Sequence, residues 1–495
     1  MNNFDHEADV VIVAAGLSGL AAAISCAEAG LSVIAVEKSS VTGGSANMGM
    51  GPLGIGTKQQ RAAAFNMTPG EAFRIHMNFV HWNADARLVH DIYFKSADTI
   101  EWLEDMGVQF FPPITAYAVP ERQRAYATAY PTGHCVVPEG GGMPGPRCAG
   151  NMTKHMTERA NELGVKFLMN TAGEHVIMEN GKAAGITAKD AAGNEMSIKA
   201  KAVVIATGGF GDNPELIKER LGYDWGKDLF SFRVPGMKGD GIRMAWEAGA
   251  AHTPTHLELM YQCPDNMSVF VLDGAFRQPC LWVNKKGDRF MNEDGAANST
   301  FTGNAIKEQP GRFVLSVLDT KLARKYKKNG VDMVDHVHGF DIFEHFEEEV
   351  DIALGNGYEY VYKADTLEEL ALKAGIDKDN FLRTVEEYNE MCEDKYDGLF
   401  EKEPMYMYPV EKGPFYALKY FVGAYGTEGG IKINYKTEVV DDNSDKIPGL
   451  YAVGTDACNI YGDTYPFILG GNTMAFCLNT GRIAGENIAD YIESM

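Results

Sequence analysis

Apolar residues near the start of the chain fall into two short continuous runs with a helical stretch between them. Residues 8–14 (ADVVIVA) read as a strand buried on both faces, the habit of a parallel sheet covered by helices on each side. An Ala- and Leu-rich helix is predicted over 17–29 and stopped by Gly30; 31–36 (LSVIAV) is the next strand, closed by Glu37. Strands are also predicted over 165–169, 176–178, 183–187 and 201–207 (KAVVIAT), with Asn180-Gly181 as a hairpin turn between the second and third. From about 258 to 425 the pattern changes to charged amphipathic helices, such as 366–374, where Thr366 and Glu369 form a capping-box pair. The stripe Met405-Tyr406-Met407-Tyr408 is expected in the core. Beyond Gly426 short strands return, followed by one final helix over 473–492. This layout predicts an α/β protein: a nucleotide-type domain made of both chain ends, 1–257 and 427–495, interrupted by a mixed α+β insertion over 258–426.

Charge removes several classes of partner. The 495 residues carry 68 acidic and 45 basic side chains, a formal net charge of −23, and the field of such a surface repels nucleic acid and anionic lipid. The short basic run Arg324-Lys325-Tyr326-Lys327-Lys328 reads as a solvated helix face. The polar, acidic N-terminus lacks the pattern of a secretory signal, and no stretch approaches 18 uninterrupted apolar residues, so a cytoplasmic protein that does not span the membrane is expected. Eight cysteines form no C-x-x-C pair and have no iron–sulfur or haem spacing. They are read as mostly free thiols, leaving no second redox centre. His336, His338 and His345 are read as a surface pattern, and no metal is expected.

The chemistry begins at Ala14-Ala15-Gly16-Leu17-Ser18-Gly19, a strand-to-helix turn. The dinucleotide fingerprint is G-x-G-x-x-G; Ala14 replaces its first glycine, and Gly16 and Gly19 remain. Gly16 lets backbone N–H groups at the start of the helix, where Leu17 and Ser18 follow, approach a pyrophosphate. Gly19 permits close packing of helix on strand. Glu37 stands 23 residues beyond Ala14, the position of the acid that binds ribose hydroxyls, with Lys38 beside it. Strand, turn, helix, strand and acid in this order point to a Rossmann-like dinucleotide site and to FAD.

Further motifs narrow the class. Gly43-Gly44-Ser45, Ala206-Thr207-Gly208-Gly209-Phe210, Gly239-Asp240-Gly241, 283–293 (VNKKGDRFMNE), Thr427-Glu428-Gly429-Gly430 and 447–454 (IPGLYAVG, ending at Gly454) together resemble the fumarate reductase/succinate dehydrogenase flavoprotein family, which includes 3-ketosteroid dehydrogenases. The resemblance spans almost the whole chain. It implies a discontinuous FAD domain capped by the inserted domain, with substrate held between them over the flavin ring. By resemblance, Gly43, Gly44, Ser45, Asn47, Met48 and Gly49 run along the pyrophosphate and ring. Ala206, Thr207 and Gly208 contact the nucleotide, Asp240 faces the ribityl region, and Gly470, Gly471 and Asn472 close over the pyrimidine edge. Covalently flavinylated members use a histidine near the ring-side loop; residues 43–56 contain none, so non-covalent FAD is expected.

The substrate side departs from the dicarboxylate reductases. Their Arg and His positions fall here at Cys263, Ala297, Gly426 and Ile468, which leaves a dianion without partners. Cys263 is read as a small residue lining the cavity. The segment Gly462-Asp463-Thr464-Tyr465-Pro466 instead resembles the G-x-x-Y-P segment of 3-ketosteroid dehydrogenases, which makes Tyr465 the candidate catalytic residue. Tyr425 and Tyr117 are weaker candidates. The Gly-rich loop 140–147 reads as a lid. The expected activity is hydride transfer between flavin N5 and an uncharged, apolar, cyclic small molecule of steroid or plant polyphenol type, in the reducing direction, with an external electron donor left unassigned. The alternatives are an enoate reductase gripping a carboxylate through Arg122, Arg124 or Arg147, and a flavin-bearing subunit without turnover.

Overall fold

The computed structural model describes residues 4–115, 117–118, 129–335, 337–339 and 341–495. The side chain of Tyr117 and residues Arg122, Arg124 and His336 lie outside the described residues. The VVIV run forms strand β1 (Val10–Val13), whose four residues are all buried. It is followed by helix α1 (Leu17–Glu28) and strand β2 (Val33–Glu37). β1 sits in the middle of a six-stranded sheet between β2 and β3 (Ala202–Ile205), parallel to both, with Val10 opposite Val33 and Ala202. Lys166–Met169 extends the sheet beyond β2, and Lys446–Ala452 then Glu438–Val440 extend it beyond β3. Strands buried on both faces explain why these segments are apolar throughout rather than alternating.

The two chain ends meet through helices. α2 (Asn472–Glu493) packs along α1, and its Gly481 and Gly485 set the distance. A Cβ added at Gly481 would lie 2.4 Å from Ser18 O, and one at Gly485 would lie 2.4 Å from Ser25 Cβ. Only glycine lets the two backbones approach this closely.

A four-stranded sheet runs from His6–Glu7 through Glu195–Lys199 and Lys182–Asp190 to Thr171–Glu179. Its last hairpin turns at Asn180 (φ 52°) and Gly181 (φ 77°), the left-handed pair that a two-residue turn needs. The middle of the chain holds a five-stranded sheet built on β4 (His252–Gln262) and β5 (Phe415–Ile431), with Phe313–Asp319, Leu281–Asn284 and Val361–Ala364. Both expected domain seams, at 257/258 and 426/427, fall inside these two paired strands. The β4–β5 register slips where they cross: Leu257 faces Thr427 and Leu259 faces Ala424, so Tyr425 and Gly426 together stand opposite Glu258. This is a β-bulge, which bends the strand and re-aims side chains.

A buried charge cluster ties segments around this sheet together. Arg289 pairs with Glu293 and Asp397, and Lys402 lies 3.3 Å from Glu293. The helix at 366–374 is confirmed as Leu367–Ala374; Glu369 N donates to Thr366, while the Glu369 carboxylate accepts from Asp365 N, one residue earlier than a capping box requires. Tyr406 and Met407 are buried, with Met405 and Tyr408 packed against the same core. The surface reading of His338 is overturned. Its ring is buried, with Nε2 3.2 Å from Asp273 Oδ2, because the carboxylate that already pairs with Arg277 draws it in. Among the described residues no group of three potential ligands is placed to hold a metal ion, and no helix is long and apolar enough to cross a membrane.

Candidate functional site

The turn after β1 presents the bare start of α1. Gly16 is its N-cap, with extended backbone (φ −72°, ψ −176°), and no side chain caps the helix, so the first-turn N–H groups face outward. The glycines of the fingerprint have different tasks. A Cβ added at Gly19 would lie 1.8 Å from Ala14 O, so Gly19 is required by helix–strand packing. A Cβ added at Gly16 would meet nothing within 4 Å except Ala206 O at 3.8 Å, so the fold itself leaves room there. Leu17 and Ser18 are buried behind the turn, and Gly454 tucks against Ser18, whose Oγ would lie 2.4 Å from an added Cβ.

Glu37 at the end of β2 reaches back to this turn. Its carboxylate accepts from Ala15 N at 3.0 Å and Ser39 N at 2.8 Å. Burial pushes its pKa up, and these two N–H groups oppose that shift. Gly43 N donates to Ala15 O at 2.8 Å, which brings the 43–49 segment against the fingerprint. Gly43 (φ 94°) and Gly44 (φ 57°) both take left-handed backbone there. Gly44, Ser45 and Met48 are exposed along the 3₁₀ turn Gly44–Met48. Asn47 is anchored by Thr42 O at 2.9 Å and Thr153 Oγ1 at 2.5 Å, and Gly49 packs on Met474.

On the other side of the turn, Ala206, Thr207 and Gly208 leave β3. Asp456, which the sequence reading passed over, organises this loop from below. Its buried carboxylate accepts from the N–H of Thr207, Gly208 and Gly209 and from Thr207 Oγ1. Burial raises its pKa despite these donors. The G-T-D order at Gly454-Thr455-Asp456, just past a buried strand, is the signal that was present. Asp240, expected toward the ribityl chain, is ion-paired at 2.5 Å with Lys38, the neighbour of Glu37.

The far end is the bare start of α2. Gly471 (φ 82°) is its N-cap without a side-chain cap, and Gly470 O accepts from Thr132 Oγ1 at 3.1 Å. Asn472 is buried; its side chain is held by Tyr461 Oη at 2.8 Å and Tyr93 Oη at 2.7 Å. Tyr93 in turn bonds His76, which is fully buried, reaches Ile460 O at 2.6 Å and has its pKa pushed down to about 4 by desolvation. The side chain of Asn472 is therefore committed to this network, and its backbone N–H is what the helix start presents.

Tyr465 lies next to this helix start. It is buried, meets Tyr461 edge-on at 5.1 Å, and lies close enough to Glu258 for the two to interact electrostatically. Burial, then the neighbouring Glu258, hold its hydroxyl well above the ordinary phenol pKa, so at neutral pH it is a donor and not a base. Tyr425 is 38% exposed and stacks on Phe232 at 5.8 Å. Glu258 also accepts from Thr473 Oγ1 at 2.5 Å, and Glu428 is buried close by. Neither glutamate was singled out as an acid by sequence, because pairing across a bulge is invisible along the chain. Of the positions that lack the dicarboxylate grip, Cys263 and Ile468 are buried. Cys263 does not line an open cavity: it is enclosed near Asp273 and Tyr358, and burial raises its thiol pKa. The Gly-rich 140–147 loop ends against the 43–49 segment, with Arg147 N donating to Met48 O at 3.1 Å.

Two uncapped helix starts, a glycine with free space at its Cα and a buried acid beside it fit a dinucleotide with an anionic pyrophosphate. Comparison with known proteins agrees. The family model described as FAD binding domain matches residues 9–474. A vinyl phenol reductase of Lactiplantibacillus plantarum is 30% identical over 498 residues, covering 98% of this chain and 96% of that protein. The open conformation of a flavocytochrome c3 fumarate reductase aligns at 26% identity with a TM-score of 0.71, over 99% of this chain and 79% of that one. A 3-ketosteroid-Δ4-(5α)-dehydrogenase of Rhodococcus jostii RHA1 shares the fold at 24% identity, with a TM-score of 0.77 over 99% and 98% of the two chains. The chain therefore belongs to the FAD binding domain family of flavoproteins, alongside fumarate reductases, and is an FAD-dependent oxidoreductase.

Proposed function

We propose that this flavoprotein is a reductase of uncharged, apolar, cyclic small molecules, with plant-type phenolics ahead of steroids. FAD is assigned to the cradle formed by Gly16, Glu37, Gly43–Gly49, Ala206–Gly208 and Gly470–Asn472, with the 258–426 insertion as its cap. The observation that carries the reading is Tyr465, a buried phenol held protonated, together with the absence of Arg or His at Cys263, Ala297, Gly426 and Ile468. A dicarboxylate would face Glu258 and Glu428 here with no Arg or His at those four positions, an arrangement that opposes its desolvation. The vinyl phenol reductase relative is named for a neutral aromatic substrate, which supports the phenolic class. When bound, reduced FAD supplies the hydride. Tyr465 then donates its hydroxyl proton to the substrate atom that becomes electron-rich.

The test is anaerobic single-turnover reoxidation of the reduced enzyme by a vinyl phenol, an isoflavone, a ketosteroid and fumarate. The phenolic substrates should reoxidise it fastest and fumarate slowest. Tyr465→Phe should retain FAD and lose about 10²–10³ in that rate, the usual cost of one oxyanion-type donor. A rate within about threefold of wild type would assign Tyr465 to packing. Fast reoxidation by fumarate alone would overturn the substrate class.

A further inference from the structure

Two carboxyl groups lie on one face of the paired strands beneath the candidate site. Glu428 on β5 is the register partner of His256, two residues before Glu258 on β4, and alternation puts both acids on the same side. The β4–β5 bulge lies opposite Glu258, whose carboxylate reaches Thr473 on α2. Glu258 is 8% exposed and Glu428 2%. Glu258 is held by Thr473 Oγ1 at 2.5 Å and has Tyr465 beside it, whereas Glu428 Oε1 is buried with no hydrogen-bond partner.

The groups around the pair supply no compensating charge. Beside it are Thr473 and Cys477 on α2 and Cys458, Tyr461 and Tyr465 on the segment leading to α2, with Asp456 next to Cys477, Tyr425 on β5 next to Tyr465, and His256 on β4 opposite Glu428. Those that can ionise to a charge are acids, phenols and thiols, apart from His256, whose pKa burial lowers. Among the described residues neither glutamate makes an ion pair with Lys or Arg. Two uncompensated carboxylates in one dry site cannot both be ionised cheaply; such pairs retain a proton at neutral pH. Burial raises both acids, and the charge of Glu258 raises Glu428 further.

We propose that Glu258 and Glu428 share a single proton and return it to the adjacent Tyr465, making the pair the proton store of the reductase. This rests on the reading of Tyr465 as the donor. Reduced FAD, itself recharged by an external electron donor, provides an electron pair and one hydrogen to the substrate double bond. The Tyr465 O–H bond breaks as the second new bond to hydrogen forms on the substrate. The Tyr465 oxygen then takes the proton from the Glu258 carboxyl, and the pair, left fully ionised, recovers one proton from water. The double bond is reduced, FAD is oxidised, and one proton is consumed. Both glutamates act through Tyr465 and are positioning residues.

Infrared difference spectroscopy of the FAD-loaded enzyme across pH, without substrate, should show a protonated carboxyl C=O band at pH 7 that fades on alkalinisation. E258Q/E428Q should remove it. In the same double variant, reoxidation by the phenolic substrate should slow at least about tenfold and lose its dependence on the ionisation of the pair, and E258D should keep that dependence. E428Q, which leaves the Thr473–Glu258 hydrogen bond in place, removes the like charge. It should shift the midpoint of both the band and the rate down by about one pH unit or more. A missing band at pH 7, a band that survives in E258Q/E428Q, or an unshifted midpoint in E428Q overturns the shared proton. A band that behaves as expected together with an unaffected Tyr465→Phe enzyme overturns the donor role of Tyr465 and leaves the pair standing.

Discussion

The two fingerprint glycines make a paired test, because one belongs to the fold and the other to the ligand. At Gly16 the backbone φ of −72° suits any residue, and an added Cβ meets only Ala206 O, at 3.8 Å. Gly16→Val should therefore fold, and its apoprotein should melt close to wild-type apoprotein. Its branched side chain would fill the space in which a phosphate approaches the uncapped N–H groups of α1. Charge-assisted bonds of this type contribute about 1.5–3 kcal/mol each. Displacing a phosphate from two of them costs about 3–6 kcal/mol, or about 10²–10⁴ in Kd. Gly19→Ala is the opposite case, with its Cβ 1.8 Å from Ala14 O. The turn must move, at about 1–3 kcal/mol or more, so even the apoprotein should melt earlier. The assay is FAD titration of each apoprotein by calorimetry, with melting of apo and FAD-loaded forms. Wild-type Kd for Gly16→Val would refute the placement of the pyrophosphate. A Gly16→Val apoprotein destabilised as much as Gly19→Ala would refute the division of roles.

Asp456→Ala strands the donors that hold the Thr207–Gly209 turn, and unsatisfied buried N–H groups cost about 1–3 kcal/mol each. Melting should fall and FAD content drop, with Asp456→Asn intermediate in both. His134 is buried between Thr57 and Thr132, and its pKa is depressed from 6.5 to about 4 by desolvation. A lowered histidine contributes stability that is present above pH 6.5 and lost as pH falls towards 4, here on the order of 3 kcal/mol. His134→Asn should be less stable at pH 7 yet lose less than wild type between pH 7 and pH 5 in thermal melts. Acid precipitation should release all the FAD into the supernatant, since residues 43–56 contain no histidine; flavin retained by the pellet would contradict non-covalent binding.

Local pattern was enough to determine the βαβ unit. Residues 10–13 and 33–37 are apolar because both faces of the central strands are covered, and that constraint is written into consecutive residues. The fingerprint was legible for a similar reason: a tight turn, a bare helix start and an acid at the end of β2 are all set by short-range spacing. The identity of α2 as a partner of α1 could not be read, since Gly481 and Gly485 acquire meaning only when a second helix backbone arrives at contact distance. Asp456 gathers donors more than 240 residues away in sequence, and His338 is buried by a carboxylate 65 residues before it. Glu258 and Glu428 are the sharpest case. Along the chain each is one acid among 68, and only the register of β4 on β5, with its bulge, brings them together without a cation. Periodicity and spacing report what neighbours in sequence must do. Which distant side chains lose water together, and so change their acidity, is decided by strand register and tertiary packing.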